Sequence, residues 1–133
     1  MTVPRWYRLS LFNFMKKIER KLHTLDASGK APGRVASAAA RLLIGKHKRD
    51  YVPNIDMGDE VEIINAGKIL LTGKKIEQKN YYKHSGYQGG LKTTSLKSLM
   101  VTDPADVLRR SVSRMLPKNR LRTPRMKRLN VKK

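Results

Sequence analysis

Apolar side chains at Val35, Ala38, Ala39, Leu42 and Leu43 recur at i, i+3, i+4, i+7 and i+8, the spacing of one helix face. Arg34, Ser37 and Arg41 fall on the opposite side. Pro32 suits a first helical turn and Gly45 a stop, so the pattern predicts a helix between them with Leu42 buried mid-stripe. Upstream, His23-Thr24-Leu25-Asp26-Ala27 is a short strand candidate closed by the turn Ser28-Gly29.

Downstream, Val61 and Ile63 alternate with Glu60 and Glu62, and the β-branched content of residues 59–66 predicts a strand with one apolar face. The run Ile69-Leu70-Leu71-Thr72 between Gly67 and Gly73 fits a strand or a single helical turn, and its periodicity does not choose. Residues 94–100 suggest a short helix. Asp103 is a good N-cap, with Pro104 at the first helical position and Asp106 near the positive helix end. Leu108, Val112, Met115 and Leu116 then repeat a core stripe, with Arg109, Arg110 and Arg114 off it, until Pro117 ends the helix. Leu129-Asn130-Val131 offers a last short strand. Strand–helix–strand order predicts an α/β sandwich built on a small parallel sheet.

Charge changes the picture from fold to partner. The 133 residues hold 30 Lys and Arg against 10 Asp and Glu, a net charge of +20. Residues 1–22 contribute +5, 23–66 nothing, 67–100 +6 and 101–133 +9. This reads as a neutral folded unit with basic flanks: an N-terminal extension over 1–22, a domain over 23–117 and a basic C-terminal tail over 118–133 that completes the fold. So much like charge repels itself unless a polyanion is present. Phosphates would relieve the repulsion and release counterions, and an anionic membrane surface is the other candidate.

Other chemistry falls away. With no cysteine, disulfide frameworks, thiol nucleophiles and iron–sulfur clusters are excluded. His23, His47 and His84 lie far apart in sequence with no helical pair of metal ligands among them, so no metal site is expected. Ser28-Gly29-Lys30-Ala31-Pro32-Gly33 sits where phosphate loops live but matches neither the dinucleotide nor the Walker pattern. Ser85 beside His84 makes no nucleophile–base pair by adjacency, and an enzyme is not expected. No apolar run approaches the roughly 20 residues that span a bilayer, so a soluble chain is expected.

The strongest local signal is residues 74–92, where Lys74, Lys75, Lys83 and Lys92 alternate with Tyr81, Tyr82, Tyr87 and His84. Lysines neutralise phosphates and tyrosines stack on unpaired bases, the pattern of an RNA-binding segment. Adjacent strand residues face opposite ways, so one of Tyr81 and Tyr82 is as well read as core. In the tail, Lys118, Asn119, Arg120, Arg122, Arg125 and Lys127 belong to a run without a single acid, and the forked guanidinium suits phosphate recognition. Arg34, with Lys46, His47 and Lys48 just past the first helix, completes the set expected to contact RNA. The tail is expected to be flexible alone and to become fixed only on RNA.

Ordered pieces along residues 23–131 carry a resemblance. They run through Leu25-Asp26-Ala27-Ser28-Gly29-Lys30, Gly33-Arg34-Val35-Ala36-Ser37, Gly45-Lys46-His47-Lys48, Tyr51-Val52-Pro53, Met57-Gly58-Asp59 and Ile64-Asn65-Ala66. They continue through Thr72-Gly73-Lys74-Lys75, the stretch from Tyr81 to Tyr87, Gly89-Gly90 and Met115-Leu116-Pro117-Lys118-Asn119. In this order the chain resembles the L-thirteen family of large-subunit ribosomal proteins, bacterial or organellar type. Two departures are Pro32, where relatives carry an aliphatic residue, and Arg120-Leu121-Arg122-Thr123, where a glycine-bearing version is expected.

The resemblance implies a three-layer α/β/α sandwich with a small, about four-stranded parallel sheet. It also implies binding to large-subunit ribosomal RNA, neighbouring ribosomal proteins as partners and a part in early subunit assembly, in the cytoplasm. No cofactor, small-molecule substrate or membrane partner is implied. A free RNA-binding regulator, for example of messenger RNA, is the alternative that uses the same basic surface. Met15-Lys16-Lys17-Ile18 resembles a family start, so residues 1–14 are expected to be absent from the mature protein or to form a disordered arm.

Overall fold

The computed structural model of the chain describes residues 18–133. The expectations about a Met15 start and an arm over residues 1–14 lie outside the described residues. Within them the order is β1 (Leu22–Asp26), α1 (Pro32–Ile44), β2 (Glu60–Ile64), a single 3-10 turn (Ala66–Lys68) and α2 (Lys75–Gln78). There follow β3 (Asn80–His84), β4 (Leu91–Ser95), α3 (Leu96–Thr102), α4 (Pro104–Met115), α5 (Arg122–Lys127) and β5 (Leu129–Val131).

The α/β sandwich expected from the order of elements is present. Its parallel sheet runs β1-β2-β5, with His23 beside Val61 and Val61 beside Leu129. Among the described residues that sheet has three strands rather than about four, because residues 69–72 join no sheet and β3 and β4 form a separate antiparallel hairpin. Period-2 alternation puts Val61, Ile63, Leu129 and Val131 on the buried face, against α1 and α4. Leu22, Thr24, Glu60 and Asn130 lie exposed on the other face, and no described helix covers it.

Helix α1 starts with Pro32 in its first turn and ends at Gly45 in a left-handed conformation (φ 86°), whose amide reaches the Arg41 and Leu42 carbonyls. Its phase differs from the sequence reading. Val35, Ala36, Ala39, Ala40, Leu43 and Ile44 are buried, Ala38 is exposed and Leu42 is half-buried. The helix is gripped on two sides, by the sheet and by α4, so the buried arc spans two adjacent columns and is rotated by about one residue. The mid-stripe role expected of Leu42 belongs to Leu43.

Helix α4 follows the sequence closely. Asp103 caps it by accepting from the Ala105 amide, and Leu108, Val112 and Leu116 are buried. Met115 is the exception, half exposed at the rim of a groove. The C-terminal segment also departs from expectation. It is not a free arm: α5 packs on α1 and α4, and β5 adds an edge to the sheet.

Two clusters tie this segment and the loop of residues 53–59 to α1. Asp56 receives both guanidinium nitrogens of Arg128, at 2.5 and 2.7 Å, and Nε of Arg125 at 3.4 Å. Burial pushes the Asp56 carboxyl up, but the arginine bonds outweigh it and hold it below its ordinary value. The second cluster centres on Asp59, which is fully buried. His23 Nε2 and His47 Nε2 each lie 2.8 Å from its Oδ2, while Lys48 Nζ sits 2.5 Å from Oδ1. Here too burial raises the carboxyl, and the bonds from Lys48, His23, the Lys21 amide and His47 lower it far more.

Candidate nucleic-acid interface

Helix α4 turns its core stripe inward, and the same 3.6-residue period leaves Arg109, Arg110 and Arg114 on its outer side. Pro117 stops the helix, and the chain folds back so that residues 118–127 run beside α4. Between them lies an open groove of about 800 Å³ lined by Ser113, Lys118, Asn119, Arg120, Arg122, Thr123, Met126 and Lys127. A smaller hollow of about 330 Å³ shares Ser113, Arg122 and Met126 with it and adds Asp106, Arg109, Arg110 and Arg114. Lys46 and Asn119 line a further hollow, which carries the basic surface round to the end of α1.

Acids are scarce along this surface. Asp106 pairs with Arg110 at 2.7 Å, whereas Arg109, Lys118, Arg120 and Lys127 have no carboxylate partner among the described residues. Arg122 is held in place by donating to the Ser113 hydroxyl through Nε (3.1 Å) and a second guanidinium nitrogen. The groove therefore presents several forks and ammoniums whose charge only an outside anion can balance.

The β3–β4 hairpin forms a second basic element. Its register sets Lys83 directly opposite Lys92, a like-charge pair that destabilises an isolated hairpin. Tyr82 (64% exposed) and Tyr87 (81% exposed) offer free ring faces. His84 Nδ1 accepts from the Gly86 amide at 2.9 Å and fixes the start of the tip, where Gly86 and Gly89 both take positive φ.

The fold separates residues that sequence reading had grouped. Tyr81 is 4% exposed, with Arg110 at 5.1 Å and Lys79 at 5.4 Å from its ring centre, so it anchors the hairpin and is not a surface for stacking bases. Arg125 is 1% exposed and committed to Asp56, so it too leaves the set expected to contact RNA. His47 and Lys48 are engaged with Asp59, and His23 joins them although it lies 24 residues away from His47 in sequence. Two of the three histidines, far apart in sequence, thus meet in the fold. The trio has metal-ligand chemistry, and the Lys48 ammonium lies against the same carboxylate.

Arg34, Lys46, Lys74, Lys75, Lys83, Lys92, Lys118, Asn119, Arg120 and Lys127 are exposed. Arg109, Arg110 and Arg114 line the same surface and were not among the residues expected there. Their position off the α4 core stripe was visible, but nothing in sequence shows that the tail folds back to face them.

The Tyr81 hydroxyl is buried without a hydrogen-bond partner among the described residues, and burial raises its pKa. Tyr81→Phe is therefore expected to be neutral or slightly stabilising, because it removes an unsatisfied polar group. Tyr81→Ala should cost about 3 kcal/mol by emptying the site. Chemical denaturation of both variants checks this, and a loss above about 1 kcal/mol for the Phe variant would show that the hydroxyl is bonded.

Comparison with known proteins fits this geometry. The family model described as Ribosomal protein L13 matches residues 20–133. The chain is 53% identical over 116 residues to the large ribosomal subunit protein uL13 of Aquifex aeolicus, covering 87% of this chain and 81% of that protein. It is 48% identical over 116 residues to its counterpart in Thermotoga petrophila (87% and 78% covered) and 52% identical over 114 residues to that of Caldanaerobacter subterraneus (86% and 80%). Matched across nearly all its described length, the chain belongs to the ribosomal protein L13 family, of bacterial type and structural rather than enzymatic.

Proposed function

We propose that the chain is a structural constituent of the large ribosomal subunit that binds large-subunit ribosomal RNA and supports early subunit assembly, in the cytoplasm. Neighbouring large-subunit proteins are its other partners. In this reading residues 23–117 form the binding domain and residues 118–133 complete it. RNA phosphates lie along the groove of Lys118, Arg120 and Lys127 and the adjoining hollow of Arg109, and unpaired bases stack on Tyr82 and Tyr87 of the hairpin.

One observation carries the reading: exposed cations gather along α4, the chain beside it and the Lys83–Lys92 pair, with Asp106 the single acid among the lining residues. A polyanion relieves all of these at once. Phosphate contacts of this kind position a protein and do not read sequence.

The test is a salt titration of binding to a large-subunit RNA fragment. Changing Arg109, Lys118, Arg120 and Lys127 together to Gln should flatten the slope of log affinity against log salt by about 0.7–0.9 per contact, about three units in all. The four side chains are exposed, so the melting curve should move by no more than about 0.5 kcal/mol per site. An unchanged slope would mean that the groove is a solvated surface. Sedimentation with the large subunit after a moderate salt wash separates this reading from that of a free messenger RNA regulator.

A further inference from the structure

A hollow of about 470 Å³ lies where the first turn of α1, the helix α2 and the outer side of α4 meet. Its floor is apolar, built by Pro32, Leu71, Leu96 and Val107, with Met115 at its edge. Gly33 contributes bare backbone, and a Cβ placed there would meet no atom within 4 Å. The rim carries Lys75, Lys79 and Arg114, with no acid among the lining residues. Gln78 stands at the edge with its side-chain amide unpartnered among the described residues.

Size, floor and rim together narrow the occupant. The volume falls in the ~300–1,000 Å³ range of sites that take small planar groups. An apolar floor takes an uncharged ring, and three cations around it take the phosphates on either side of that ring. A primary amide both donates and accepts, as the hydrogen-bonding edge of a base requires. An apolar peptide side chain would fill the floor but leave the three cations without counter-charge.

We infer that this hollow seats one unstacked nucleobase of the bound RNA, with its flanking phosphates on Lys75, Lys79 and Arg114. The inference rests on the RNA-binding reading and adds a recognition site to a surface otherwise described by charge alone. Arg114 also lines the hollow next to the α4 groove, so a strand leaving the base site enters the basic surface directly.

Gly33→Leu tests it by filling the hollow while leaving every cation in place. Gly33 lies in the first turn of α1 at an ordinary negative φ, and leucine is the better helix former, so melting should not fall. The probes are two eight-residue RNA strands: oligoadenylate, and a backbone of equal length without bases. The wild-type chain should bind oligoadenylate more tightly, and Gly33→Leu should cut that preference by about tenfold, the scale of one seated base. Its affinity for the abasic strand should not change.

If Gly33→Leu keeps the wild-type preference and its melting temperature, the hollow takes some other occupant, such as a neighbouring protein's apolar side chain, and the inference falls. If the wild-type chain binds both strands alike, the inference falls while RNA binding stands. If it binds neither at low salt, the RNA-binding reading fails as well.

Discussion

Gly58→Ala is expected to cost more than about 4 kcal/mol, a loss that few single substitutions reach. A Cβ at Gly58 would lie 1.7 Å from the Leu43 carbonyl oxygen and 2.5 Å from its carbon. Both are backbone atoms in the last turn of α1, so no side-chain rotation relieves the overlap. The chain must move, and three attachments move with it. The Asp59 amide bonds the Leu42 carbonyl at 3.2 Å, the Asp59 carboxylate gathers His23, His47 and Lys48, and Arg128 reaches the Leu43 carbonyl at 3.4 Å. The measurement is urea denaturation with the slope compared between variants. A loss under about 1.5 kcal/mol, within the ordinary range for single substitutions, would show that the loop can lift away from α1 without disturbing its bonds.

Asp56→Ala is expected to cost about 3–5 kcal/mol, the usual penalty for stranding buried charge. Arg125 and Arg128 have side chains only 2% and 10% exposed, and Asp56 is the carboxylate that faces both. The sign of the pH dependence follows from the lowered Asp56 pKa. A carboxyl whose folded pKa lies below its ordinary value of 3.8 stabilises the fold above that value and loses its contribution as pH falls below it. The gap between wild type and Asp56→Ala should therefore be full at neutral pH and narrow below about pH 4. A gap that stays constant down to pH 3 would mean that the pairing adds little.

This substitution also separates two kinds of basic residue. Releasing α5 displaces Lys127 and the groove beside α4, so Asp56→Ala should lower RNA affinity and stability together. The four exposed changes to Gln should lower affinity alone.

Much of this was legible along the chain because it depends on neighbours in sequence. The limits of α1 and α4 follow from Pro32, Gly45, Asp103, Pro104 and Pro117, each acting through its own backbone and the adjacent turn. The strand at Val61 and Ile63 follows from alternation, and the polyanionic partner follows from composition. The ordered pieces named the family. What stayed hidden depends on residues distant in sequence. Arg125 and Arg120 read alike in an acid-free run, and only Asp56, 69 residues before Arg125, makes one a buried anchor while the other remains a free cation. Tyr81 and Tyr82 are chemically identical, and the docking of the hairpin on α4 decides which ring is covered. The phase of α1 was read about one residue off, because alanines tolerate either environment and contact with both the sheet and α4 set it. Sequence determined the strands of the parallel sheet, the two long helices and the charge that calls for a polyanion, and tertiary packing decided which cations are left to meet it, because a guanidinium beside a buried carboxylate is already neutralised.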